Sequence, residues 1–164
     1  MEAKTASRRT EGLLTLFDMQ TTFFKRALEG ISEEDTYHRL NTKANHIAWL
    51  AGSLVQQRYM MTSETHPELK QTGDELFKGN KGIQDDTKYP TTAEYLADWG
   101  KISPLAREVL ISMDDQKLDS EIDIGFMKMS YYELLSFTIY REASIIGQLA
   151  LWRRLLNYPA LKYD

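Results

Sequence analysis

Four long windows of the chain repeat apolar residues at helical spacing, and no stretch shows a convincing period-2 alternation. A chain patterned in this way can bury its apolar stripes only by packing helix on helix, so the expected fold class is all-α. The first window runs from Arg9 to Leu28, with Leu13, Leu16, Phe17, Gln20, Phe24, Ala27 and Leu28 on one face and Gly30 as a C-terminal stop. Ser32-Glu33-Glu34-Asp35 offers an N-cap with acids in the first turn, which predicts a short helical turn through Arg39.

The second window opens after Asn41, along Ala44, Ile47, Ala51, Leu54, Val55, Arg58 and Met61, with Trp49 and Leu50 beside the stripe. Small residues Ala48, Ala51, Gly52 and Ser53 let a neighbouring helix come close. From Glu64 to Thr91 the periodicity dissolves into turn signals such as His66-Pro67, Gly73-Asp74 and Gly79-Asn80. A connection this long is either a crossover or a functional cover, and Leu76-Phe77 is positioned to pin it to the body.

Thr91 and Glu94 have the spacing of a capping box, and Tyr95, Trp99, Ile102, Ala106, Val109, Leu110 and Met113 follow at helical spacing. Pro104 removes one hydrogen bond, which predicts a kink near Gly100 rather than a break. A polar connection from Asp114 to Lys128 has extended character around Ile122-Asp123-Ile124. Ser130, with Glu133 three residues on, caps the longest helix, expected from Tyr131 to Leu156. Its inward face is read as Leu134, Thr138, Arg141, Ile145, Gln148, Leu149, Trp152 and Leu156. Four such helices with a long second connection predict a four-helix bundle, a single domain over 1–164.

Composition narrows the chemistry. There are no cysteines, which excludes thiolate zinc sites, cysteine nucleophiles and redox pairs, and His38, His46 and His66 are the only imidazoles. A net charge of -4 without long Lys or Arg runs argues against nucleic acid as a partner. No apolar stretch has the length of a membrane span, and the opening residues Met1-Glu2-Ala3-Lys4 lead into a polar segment, so a soluble, cytoplasmic protein is expected.

The run Tyr140-Arg141-Glu142-Ala143-Ser144-Ile145-Ile146-Gly147-Gln148-Leu149-Ala150-Leu151-Trp152-Arg153-Arg154 resembles the final helix of the DinB-like (YfiT-type) superfamily. Asn45-His46-Ile47-Ala48-Trp49-Leu50-Ala51-Gly52-Ser53-Leu54 resembles its second helix, and Tyr89-Pro90 falls before the third. The resemblance implies an up-down-down-up four-helix bundle, commonly a homodimer, with a divalent metal held by three histidines. One of these lies on the second helix and two on the fourth, in a His-Glu-x-x-His-x-Gly-Gln motif.

In this chain Ser53, Arg141 and Ile145 stand at those three positions. A guanidinium stays protonated and repels a divalent cation, and isoleucine has no lone pair, so no metal and no other cofactor is expected there. Ser53, Arg141, Ile145 and Gln148 then outline a candidate pocket at the former metal site. Arg141 has two readings: it pairs internally, or it holds a small anionic ligand with Ser53 and Gln148 nearby. His46 and Glu142 are secondary candidates, each with a structural reading as well. His46 would pack or hydrogen-bond at the helix start, and Glu142 would pair with a neighbouring helix. Gly147 would allow close helix approach.

The reading that follows is a non-catalytic protein that binds a small ligand or a partner. The alternative is a metal-dependent transferase or hydrolase of the thiol-transferase type, with zinc or nickel on ligands recruited from His46, His66 and Glu142. A third is a structural or regulatory dimer.

Overall fold

The computed structural model describes residues 5–125 and 127–164. The chain is mostly helical. A 3-10 turn at Arg8–Thr10 leads into α1 (Glu11–Leu28), and α2 spans Ile47–Met61. Helix α3 covers Thr92–Ser112, and the short α4 covers Asp115–Asp119. A small hairpin of β1 (Glu121–Asp123) and β2 (Lys128–Ser130) then delivers the chain to α5 (Tyr131–Leu155). Among the described residues, no helix is long and apolar enough to cross a membrane.

Local chemistry sets the helix ends. Both predicted capping boxes form: Thr91 Oγ1 accepts from the Glu94 N–H while the Glu94 carboxylate accepts from the Thr91 N–H, and Ser130 and Glu133 do the same at α5. Gly30, at φ +73°, turns the chain after α1, where a Cβ would be strained. The turn expected after Ser32 is a 3-10 turn at Asp35–Tyr37, and the Ser32 hydroxyl accepts from the Asp35 N–H. Helix α3 passes through Pro104 without interruption.

Three expectations need correction. Helix α2 starts at Ile47 rather than just after Asn41, because His46 caps it, and Ala44 is exposed. On α1 the buried face carries Leu14, while Leu16 is exposed; the apolar run Leu13-Leu14 left the phase open. The connection after α3 holds the short helix α4, whose Leu118 is fully buried.

The core has two apolar clusters. The larger gathers Phe24, Leu54, Tyr95, Trp99 and Leu149, and the smaller gathers Phe17, Leu110, Leu118, Leu135 and Ile139. Helix α1 packs on α3 and α5, and α2 packs on the same two helices from the other side. The long connection between α2 and α3 is held by Phe77 and Tyr89, both buried against the larger cluster. A Cβ on Gly52 would collide with the Phe77 ring and the Tyr95 hydroxyl, so α2 has no side chain where the connection presses against it.

Candidate functional site

A cavity of about 620 Å³ opens between α2, which lines it from Trp49 to Met61, the N-terminal half of α5, the end of α3 and the β1 strand. Its wall also takes Phe77, Asn80 and Lys81 from the long connection, which therefore serves as part of a cover. The size lies within the usual range for small-molecule sites.

Arg141 stands at the inner end. Its Nη2 donates to Ser53 Oγ at 2.6 Å and its Nη1 to Gln57 Oε1 at 2.7 Å. Both acceptors are neutral. Among the described residues no carboxylate forms an ion pair with Arg141, and most of its fork of donors is uncommitted. Burial pulls its pKa below the ordinary arginine value, and the charge of the adjacent Glu142 offsets only part of that. A guanidinium so placed remains protonated and is short of negative charge.

The two fully enclosed arginines, Arg58 and Arg153, differ from half-buried Arg141. Arg58 is fully buried, with Nε 2.9 Å from Glu142 Oε1 and Nη2 2.8 Å from Glu142 Oε2. Its Nη1 donates to Thr21 and Ser103, and its guanidinium lies between the rings of Phe17 and Trp99, at 3.8 and 3.6 Å from the centroids. Arg153 spends its donors on the carbonyls of Ala27, Glu29 and Pro159, joining the C-terminal ends of α1 and α5. Arg141 alone among these three has neither a carboxylate nor a set of carbonyls around it.

The outer end of the cavity is polar: Lys117 is paired with Glu64, and Asp114 adds a second carboxylate to the wall. Lys117 Nζ donates to Glu64 Oε2 at 2.8 Å and lies 3.8 Å above the Tyr131 ring, while the Tyr131 hydroxyl donates to Glu64 Oε1. The Lys117 hydrogen bond and then that of Tyr131 hold the Glu64 carboxyl below the usual carboxylate range. The rest of the wall is mixed: Met60, Met61, Val109, Met113, Ile122 and Leu134 are apolar, and Gln56, Ser63 and Ser112 stand among them.

The four residues outlined from the sequence do not all meet. Ser53 and Arg141 come together in the cavity wall, and Thr138 lines it beside them. Ile145 is buried in the larger apolar cluster. Gln148 is exposed and donates only to the Ser144 carbonyl one turn back. Gly147 is also exposed, with nothing within 4 Å of where a Cβ would sit, so no helix among the described residues approaches there. Of the face expected for α5, Thr138, Ile145, Leu149 and Trp152 are buried; Leu135, Ile139, Glu142, Ile146 and Arg153 complete it, so Glu142, not Arg141, occupies the fully buried position.

Glu142 pairs across to α2, as one of its two readings anticipated. His46 is buried at the start of α2, where Nδ1 accepts from the Trp49 N–H at 3.1 Å, between the rings of Tyr37 and Tyr89. Burial lowers its pKa from the ordinary 6.5. His66 lies 3.7 Å from Glu68 and His38 3.6 Å from Asp35, both in connecting segments. Among the described residues no three His, Asp or Glu side chains converge as a metal-ligand group, so His46, His66 and Glu142 do not share a site. At Ser53, Arg141 and Ile145 the donor set is one hydroxyl beside a fixed cation, which does not fit a divalent metal.

Gln57 lies outside the apolar stripe of α2, yet it holds Arg141. The signal was its place one helical turn after Ser53, on the same face of α2. Comparison with protein-family models gives no match, and no curated protein matches the chain.

Proposed function

We propose that this chain is a DinB-like four-helix bundle whose cavity binds a small anion on Arg141 and uses no metal. The up-down-down-up order is supported by contacts along the helices. Gln20 reaches Ile139 and Arg153 reaches Ala27, so α1 and α5 run alongside in one direction. Ser53 meets Arg141 while Asn45 meets Trp152, so α2 opposes α5. Tyr95 lies against Gly52 and Ser103 meets Arg58, so α3 follows α2.

The observation that carries the reading is the half-buried Arg141 guanidinium held by two neutral acceptors at the inner end of a cavity. A half-buried cation with no carboxylate paired to it favours an anion that replaces its lost hydration and completes its hydrogen bonds. Ser53 and Gln57 fix the guanidinium in place, which reduces the ordering needed on binding. The function is thus one of holding a ligand.

The test is thermal melting of untagged protein with benzoate, acetate or phosphate at constant ionic strength, beside elemental analysis. At a hundredfold excess over Kd a ligand specific to the native state adds about 2.7 kcal/mol of stability, a shift of several degrees. Stabilisation that disappears in Arg141→Gln supports the reading. A near-stoichiometric metal in the untagged protein, or no anion effect at all, contradicts it.

A further inference from the structure

We infer that the ligand is an extended amphipathic monocarboxylate, its acid group on Arg141 and its apolar chain running outward along the methionine-lined wall. The inference rests on the reading of Arg141 as an anion anchor and adds the class and length of what is anchored.

Three features carry it. The cavity is charged asymmetrically, because Lys117 is satisfied by Glu64 whereas Arg141 has only Ser53 and Gln57. Lys81, the other cation in the wall, is on the exposed connection and donates to the Glu75 carbonyl, so it competes poorly for a buried acid group. A carboxylate therefore gains most at the inner end. A planar carboxylate also matches the fork of a guanidinium.

The second feature is length. On α5 the wall extends from Tyr131 to Arg141, a ten-residue step of about 15 Å at the α-helical rise, room for an extended chain of about ten carbons. The third is the character of the wall. Met60, Met61 and Met113 are flexible, polarisable side chains that adapt to an apolar chain, and Val109, Ile122 and Leu134 complete the surface. Beyond them the Glu64–Lys117–Tyr131 group is polar, which sets where an apolar chain stops gaining.

The experiment is calorimetric titration of the whole chain with acetate, hexanoate, octanoate, decanoate and dodecanoate, all below micelle formation, and with octan-1-ol. Two variants accompany it, Arg141→Gln and Met113→Glu, with folding checked by thermal melting. Affinity is expected to rise about fourfold per methylene as far as decanoate and then level off. Octanoate should bind at least tenfold more tightly than octan-1-ol. Arg141→Gln should abolish that preference, and Met113→Glu should weaken octanoate at least tenfold more than it weakens acetate.

Anion binding that depends on Arg141 but is flat from acetate to decanoate overturns the amphipathic ligand and leaves the anion anchor standing. Equal binding of octanoate and octan-1-ol by the unaltered protein, with no effect of Arg141→Gln, overturns both. The comparison of acid with alcohol on the unaltered protein decides the matter even if a variant does not fold.

Discussion

Arg58 and Glu142 meet as a two-pronged ion pair in the middle of the molecule, with both side chains fully shielded from solvent. The guanidinium lies between Phe17 of one apolar cluster and Trp99 of the other, so the pair forms a polar layer joining the two halves of the core. Its charges are matched, in contrast to Arg141 one residue away from Glu142 along α5.

Removing one partner should be far worse than removing both. Glu142→Ala leaves a buried guanidinium unpaired and is expected to cost about 3–5 kcal/mol in chemical denaturation. The double change Arg58→Met with Glu142→Leu should recover most of that loss. The hydroxyls that Arg58 contacts keep partners of their own, since Thr21 donates to the Phe17 carbonyl and Ser103 to the Trp99 carbonyl. A double variant no more stable than Glu142→Ala would show that the pair also determines the packing.

His46 is expected to make the fold acid-sensitive. Its neutral Nδ1 accepts the Trp49 N–H, and burial lowers its pKa below the ordinary 6.5. The unfolded chain therefore takes up this proton at higher pH than the folded one. The stability due to neutral His46 is complete above about pH 6.5 and is lost progressively as pH falls below it, through the folded-state value. Replacing His46 with Asn keeps a cap acceptor and should flatten stability against pH between 7 and 5, measured by urea unfolding at each pH. An unchanged slope would mean that other groups set it.

Two glycines should respond in opposite directions. Gly52→Ala places a methyl against Phe77 and Tyr95, with an expected loss of about 1–3 kcal/mol and looser packing of the long connection, read by hydrogen exchange around Phe77. Gly147→Ala meets open space within α5 and should stabilise by about 0.5–1 kcal/mol through helix propensity.

How far the sequence discloses this molecule differs from element to element. The starts of α3 and α5 were legible, because Thr91 with Glu94 and Ser130 with Glu133 are local chemistry. The start of α2 was not, since a histidine acting as a cap resembles a helical residue in an apolar window. The face of α5 is half legible, with Thr138, Ile145, Leu149 and Trp152 on it, because its buried stripe also contains Glu142 and Arg153, which periodicity assigns to solvent. Arg58 lay in the expected stripe of α2, but its partner is 84 residues away on α5. Half of the candidate site was legible: Ser53 and Arg141 meet, while Ile145 and Gln148 lie elsewhere. Gln57 and the methionine wall depend on how α2, α3 and α5 come together.

A metal-free anion anchor at Arg141 is tested most directly by an anomalous-scattering crystal structure of untagged protein with 4-bromobenzoate. The expected result is a carboxylate within hydrogen-bond distance of the Arg141 guanidinium, with the bromine signal among Met60, Met113 and Leu134 and no metal signal beside Ser53. A ligand bound with its carboxylate toward Lys117, a cavity without ligand at saturating concentration, or a metal signal next to Ser53 would contradict the account.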